Sequence, residues 1–376
     1  MWIDCAKGLD LPPGETVVSV AASEAHVEAE MAVTAESGRD TARVANAAEF
    51  ARAGRIVAKS RQAVTSMFEE ARMGRAVNTG GARRLVEEIS DSVSRSAGAL
   101  ISLARLKTAD DYTFMHSVAV CALMVALARQ LGLTEEQVRS AGIAGLLHDL
   151  GKAAIPLDIL NKPGKLTDAE FAIIKAHPEK GHEMLLRSGD AAPAALDVAL
   201  HHHEKDDGSG YPKRLRGPAI SLFAKMAAVC DVYDAITSNR PYKAGWDPAE
   251  SVRKMAEWST TGHFDPEIFQ AFVKSIGIYP IGSLVRLNCG RLGVVIEQNE
   301  KSLLHPLVKV FFSTQSEARI LPEVLNLARP GCRQRIVSRE DPAKWAFPDL
   351  DEIWSGGASG APPRLSGRSQ PSNNPQ

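Results

Sequence analysis

A chain of 376 residues with 44% hydrophobic and only 6% aromatic side chains has room for two or three domains and reads as soluble, alanine-rich and mainly helical. Its 44 basic and 45 acidic residues nearly cancel, to a net charge of −1, which argues against polymeric nucleic acid as a partner but leaves room for a small phosphorylated ligand. The five cysteines (Cys5, Cys121, Cys230, Cys289, Cys332) show no CxxC spacing, no apolar run reaches bilayer length, and the start lacks a signal-peptide layout. The expected setting is therefore the cytoplasm, with reduced thiols and no membrane contact.

Residues 1–35 form a short mixed segment punctuated by Pro12-Pro13-Gly14, with a strand and turn expected near its start. Residues 36–107 are rich in Ala, Arg and Glu, with Val44, Ala48, Ala51, Ile56 and Val57 at helical spacing. Asn78-Thr79-Gly80-Gly81 should split this helical segment, whose expected role is packing or dimerisation. Residues 108–277 read as an all-helical domain. Thr134…Gln137 and Thr167…Glu170 have the form of capping boxes, and Asp247-Pro248 places proline at a first helical position. Residues 278–345 change character: 281–287, 292–296 and 306–312 read as short strands of a small, barrel-like β appendage. Residues 355–376 are too poor in apolar side chains to fold and are expected to be disordered.

The chemistry concentrates in the helical domain. His201-His202-His203 puts three imidazoles in a row, each with two ring nitrogens that need partners when buried, and a metal ion satisfies several at once. The Asp207-Gly208-Ser209-Gly210-Tyr211-Pro212 stretch that follows has glycines that let backbone turn sharply beside a ligand. His148-Asp149 closes an apolar run, an expensive place for an unpaired charge, and Lys152 falls one turn later, on the same face if the helix persists. His116 heads an apolar helix and His177-Pro178 lies at a helix junction; by themselves such residues are more often structural than ligands. His182 has no partner pattern and reads as solvent-exposed. Asp231 and Asp234 share one helical face, and Arg240 and Lys243 place two cations just past it. Five imidazoles and two carboxylates suit two metal ions, which roughly 3.5–4 Å apart can activate water and brace an in-line phosphoryl displacement. The residues alone thus reach metal-dependent phosphoester hydrolysis, without a substrate.

Over about residues 108–275 the chain resembles the HD-GYP family of cyclic di-GMP phosphodiesterases, on His148-Asp149-Leu150-Gly151-Lys152, on His202 through Pro212, and on Asp231 through Lys243. The resemblance implies a helical HD-type bundle and hydrolysis of cyclic di-GMP to linear pGpG, GMP or both. It implies two divalent ions, with Fe or Mn expected. His116, His148, Asp149 and Asp231 would hold one ion and His177, His202 and His203 the other, with Asp149 bridging; His201 is not implied. Lys152 would serve the scissile phosphate. Gly208, Gly210, Tyr211, Asp234, Arg240 and Lys243 would shape or contact the substrate site. Some members carry a Glu one turn before the first His that helps hold a third metal, and this chain has Tyr112 there. The family's N-terminal domain of unknown function is expected to survive only as Trp2 to Asp10, and the β segment resembles a tail common in the family. A homodimer or a signalling partner is the expected assembly. The competing readings are a catalytically weak nucleotide-binding scaffold, which the complete ligand set disfavours, and another HD-type nucleotide hydrolase, which the Gly-Tyr-Pro loop disfavours.

Overall fold

The computed structural model describes residues 48–76, 79–105, 112–162, 164–238, 245–299, 302–345 and 347–355. The expectations for residues 1–35, Asn78, Arg240, Lys243 and the tail from 356 lie outside them, as does the side chain of Tyr112. The described residues from Glu49 onward form one compact unit.

Helix α1 covers residues 48–72 and α2 runs Thr79–Arg105, so the break expected around Thr79 falls between them. Next comes α3 (Tyr112–Gln130), the centre of the bundle: every residue from Met115 to Ala128 is buried. A helix apolar all round must be covered on all sides, and α2, α4 (Glu135–Leu147), α9 (Leu222–Thr237) and α11 (Pro266–Ile276) cover it. The approach of α4 is unusually close. A Cβ at Gly145 would lie 3.1 Å from both Cys121 Cα and Val120 O, so a larger residue there would push the helices apart. Because α3 and α4 form an antiparallel hairpin, the start of one meets the end of the other. That brings the rings of His116 and His148 to 5.1 Å.

The capping boxes at Thr134/Gln137 and Thr167/Glu170 are both formed, and Asp247 accepts from the Ala249 and Glu250 amides at the head of α10 (Pro248–Thr260). Four shorter helices, α5 (Leu157–Leu160), α6 (Asp168–Lys175), α7 (His177–Ser188) and α8 (Pro193–His201), complete this side of the bundle.

The β segment is an antiparallel sheet of β1 (Leu284–Leu287), β2 (Arg291–Glu297), β3 (Leu307–Ser313), β4 (Ala318–Asn326) and β5 (Ile336–Arg339). Its order, β4-β3-β2-β1-β5, is linear, with β4 and β5 as edges, so the barrel-like expectation is corrected to an open sheet. Nor does it hang free. Leu284, Leu292, Val294 and Phe311 enter the main core, while Val285, Leu287, Val295, Val308 and Val310 build a second core on the other face. Two-residue alternation lets one short sheet serve both. Helices α12 (Pro342–Trp345) and α13 (Leu350–Ser355) follow, and Trp354 packs back on Phe50 of α1.

Candidate metal centre

Seven of the sequence-predicted residues meet in one place. His116 comes from α3, and His148 and Asp149 from the end of α4. His177 begins α7, His202 and His203 follow α8, and Asp231 lies on α9. Asp149, 1% exposed, is their common neighbour. Its Oδ2 faces His116 Nε2 at 3.5 Å and His148 Nε2 at 3.4 Å, while its Oδ1 faces His177 Nε2 at 3.3 Å and His202 Nε2 at 3.7 Å. One carboxylate thus turns each oxygen toward a different pair of imidazoles. Asp231 joins the first pair through Oδ1, 2.9 Å from His116 Nε2, and its Oδ2 lies 3.7 Å from His203 Nδ1.

The imidazoles are oriented from behind. Nδ1 of His148, His177 and His202 donates to the carbonyls of Gly145, Ile174 and Val198 at 2.8, 2.7 and 2.9 Å. A carbonyl only accepts, so each Nδ1 carries the proton and each Nε2 of the neutral ring presents a lone pair. Yet His177 Nε2 and His202 Nε2 face each other at 3.2 Å, and His148 Nε2 and Asp149 Oδ1 are buried without a hydrogen-bond partner. Facing lone pairs repel, and buried unsatisfied acceptors are costly. A cation resolves both problems, and His177/His202/His203, His116/His148/Asp231 and His148/Asp149/His202 are each grouped tightly enough to hold one.

The protonation states agree. Burial, reinforced by the neighbouring imidazoles, pushes His202 well below the usual histidine range, and burial takes His203 down to about 3 despite Asp231. For Asp149 burial acts upward, but Lys152 and His148 outweigh it and hold the carboxyl well below its ordinary value. Asp231 is held down likewise, chiefly by His116 against the opposing effect of burial. Neutral imidazoles and ionised carboxylates are the forms that bind metal. His116 is the exception. Burial pushes it down, but hydrogen bonds to Asp231 and Asp234 outweigh that and raise it, so metal and proton compete for this ring.

Three expectations need correction. The α4 helix does not persist to Lys152; it gives way to a 3₁₀ turn, Leu150–Ala154. Residues three apart eclipse in a 3₁₀ turn, and the ammonium of Lys152 lands on Asp149 Oδ2, the oxygen that also faces His148 Nε2. Asp234 does not face the open site. It is buried behind His116, Oδ2 to Nδ1 at 2.6 Å, and orients that ring, whose Nε2 faces Asp231 on the cluster side. His182 is half-buried, with Nδ1 donating to Leu196 O at 3.0 Å.

The glycine-rich loop lies against the cluster. Tyr211 stacks on His203 at 4.7 Å, and burial, with Asp231 and Asp149 nearby, raises its phenol, which keeps the proton. Gly208 takes φ +80°, and at Gly210 a Cβ would lie 2.4 Å from Lys205 N and 2.6 Å from His203 O, so backbone packs on backbone there. Glu204, a residue to which the sequence reading gave no role, fastens this loop. Its buried carboxylate accepts from Lys213 N at 2.6 Å and Leu215 N at 3.0 Å. Arg214 between them is forced to φ 56°. Glu204→Gln would set an amide NH2 against one of these donors. It is expected to cost about 1–3 kcal/mol and to raise hydrogen exchange at the Lys213 and Leu215 amides. Unchanged exchange and an unchanged melting curve would show that the loop is held otherwise.

The family model for the HD domain matches residues 88–268, and one for a domain of unknown function (DUF3391) matches residues 1–82, a wider stretch than the expected Trp2 to Asp10. The chain is 56% identical over 356 residues to the cyclic di-GMP phosphodiesterase PA4108 of Pseudomonas aeruginosa, covering 95% of this chain and 84% of that protein. It is 40% identical over 197 residues to the cyclic di-GMP phosphodiesterase response regulator RpfG of Xanthomonas campestris, covering 51% of each. It is also 36% identical over 165 residues to the 3'3'-cGAMP-specific phosphodiesterase 1 of Vibrio cholerae, covering 44% of this chain and 38% of that one.

Proposed function

The chain belongs to the HD-GYP family of cyclic di-GMP phosphodiesterases, and from that premise we propose which of its residues perform the reaction. The enzyme is a metal-dependent phosphodiesterase of cyclic di-GMP, and its proposed products are linear pGpG, GMP or both. The observation that carries the residue assignment is Asp149, with one oxygen toward His116 and His148 and the other toward His177 and His202. His116, His148, Asp149 and Asp231 would hold one divalent ion and His177, His202 and His203 the second, with Asp149 shared. When bound, the pair supplies Lewis acidity toward a phosphate oxygen and an activated water.

The chain's own groups do the rest. Lys152 is 21% exposed, so its ammonium can turn from Asp149 toward a phosphate or toward the departing ribose oxygen. The protonated phenol of Tyr211 can donate a hydrogen bond, and Gly208 and Gly210 leave the loop backbone free to approach the nucleotide. Asp234 keeps the His116 ring aligned. Arg240 and Lys243, which come shortly after α9 in the sequence, are assigned to the substrate phosphates. Arg240→Ala or Lys243→Ala should weaken cyclic di-GMP binding roughly ten- to hundredfold with metal content intact. Metal loss in either variant would move that residue to the cluster.

Iron or manganese is the proposed metal, since imidazole with carboxylate suits both. Metal analysis of anaerobically purified protein, with cyclic di-GMP turnover and product chromatography on the same sample, tests the reading. Metal-free protein with full activity would defeat it. Tyr112 stands where some relatives have a Glu, and a phenol ionises only near pH 10. About two ions per chain are therefore expected. Tyr112→Glu should raise the count toward three, and three ions in the unmodified chain would overturn the assignment. Among the described residues no helix is long and apolar enough to cross a membrane, and the proposed setting is the cytoplasm. Sedimentation of the purified chain tests the proposed homodimer.

A further inference from the structure

The way into the cluster is marked by exposure. Six of the seven members are buried, whereas the side chain of His203 is 25% exposed, and Tyr211 stacks on it. Beyond Tyr211 stands Lys175, the last residue of α6, whose Nζ lies 5.2 Å from the Tyr211 ring centre and 4.8 Å from that of Phe171. Lys162, Lys180 and Lys213 each pair with a glutamate, Glu170, Glu183 and Glu179. Among the described residues no carboxylate lies within ion-pair distance of Lys175. The helix that carries it is also unusual. It buries no residue and leaves Phe171 45% and Ile173 42% exposed, a surface with a large apolar side chain and an uncompensated cation side by side.

We infer that Phe171 and Lys175 form a subsite for the half of the cyclic dinucleotide that is not being cleaved, Lys175 taking its phosphate and Phe171 the face of its purine base. The inference rests on the cyclic di-GMP phosphodiesterase reading above. The substrate carries two phosphates, and only one can occupy the metal cluster. The other needs cations outside it, Lys175 in addition to the assigned Arg240 and Lys243, and a lysine between two aromatic rings is held in place without being neutralised. A purine stacks on any exposed aromatic ring, so Phe171 supplies binding with little base preference. The ordinary alternative is that Lys175 merely braces Tyr211.

The test is the steady-state kinetics of the full-length, metal-loaded enzyme on cyclic di-GMP at several salt concentrations. Lys175→Ala is expected to raise KM about ten- to hundredfold, more than it lowers kcat, and to flatten the salt dependence of KM. Lys175→Arg should restore most of the loss, because the cation is what matters, and Phe171→Ala should raise KM without changing the salt dependence. If Lys175 only braces Tyr211, the loss falls mainly on kcat and the salt dependence is unaltered; that result would overturn the subsite. So would a KM for Lys175→Ala within about twofold of wild type, well below the effect of a lost charge-assisted contact. A wild-type enzyme without cyclic di-GMP turnover would instead sink the proposed function, and the subsite with it.

Discussion

Asp149→Ala is expected to leave the chain folded, without bound metal and without phosphodiesterase activity. The substitution removes the carboxylate that stands between the two pairs of imidazoles: Oδ2 serves His116 and His148, Oδ1 serves His177 and His202. Losing several kcal/mol of Lewis-acid stabilisation corresponds to a fall in kcat on the order of 10³-fold or more. The fold should survive, since Lys152, the cation left behind, is partly exposed and can turn to water. Asp149→Asn sharpens the test. It keeps the shape but lacks the charge, and its NH2 group cannot ligate, so it can serve at most one half of the cluster. Metal analysis and melting curves on both variants decide the matter. Full occupancy at both positions in Asp149→Ala would end the shared-carboxylate assignment.

Gly151→Ala should be nearly as damaging, for a reason unrelated to ligation. A Cβ at Gly151 would lie 1.8 Å from His177 O and 2.5 Å from Gly181 N. Both are backbone atoms of α7, so no side chain can swing aside, and the first turn of that helix must move. His177 moves with it, away from Asp149 Oδ1. Overpacking of this kind costs about 1–3 kcal/mol of stability. Activity should fall roughly a hundredfold, because small displacements of positioning groups are amplified in the barrier. Reduced metal content at the His177 position is the accompanying sign. A variant with wild-type melting temperature and turnover would show that α7 has slack which this packing does not display.

Part of the cluster was legible because its members sit in local contexts that carry their own chemistry, while His116 and His177 were reached only through the family resemblance. His148-Asp149 at the end of an apolar run and His202-His203 before a glycine-rich loop imply burial together with a need for compensation. The capping boxes at Thr134 and Thr167 and the proline at 248 were legible for the same reason: caps are local hydrogen bonds whose partners lie within three residues. Cys121 and Cys230, read as buried thiols from their apolar helices, are buried and free. Strands β1 to β3 showed as apolar runs. By contrast β4 carries its apolar residues as two pairs around Pro322 and Glu323, without the two-residue alternation of a strand, and β5 has only Ile336 and Val337.

What the sequence could not contain is which atom faces which. Asp231 and Asp234 are three residues apart on one helix, and spacing alone makes them equivalent. The His116 ring, which meets Asp231 through Nε2 and Asp234 through Nδ1, makes the first a cluster member and the second its support. The α4 helix would have had to persist for periodicity to place Lys152, and it gives way to a 3₁₀ turn that sets this lysine on Asp149. Glu204 accepts amides nine and eleven residues away, and Lys175 meets Tyr211 only because α6 and the glycine-rich loop come together in the fold. The sequence by itself determined the chemistry of the cluster, since ligand type and burial are local properties. Tertiary packing alone decided the direction of each side chain and the pairing of oxygens with imidazoles, since those depend on contacts between segments far apart in the chain.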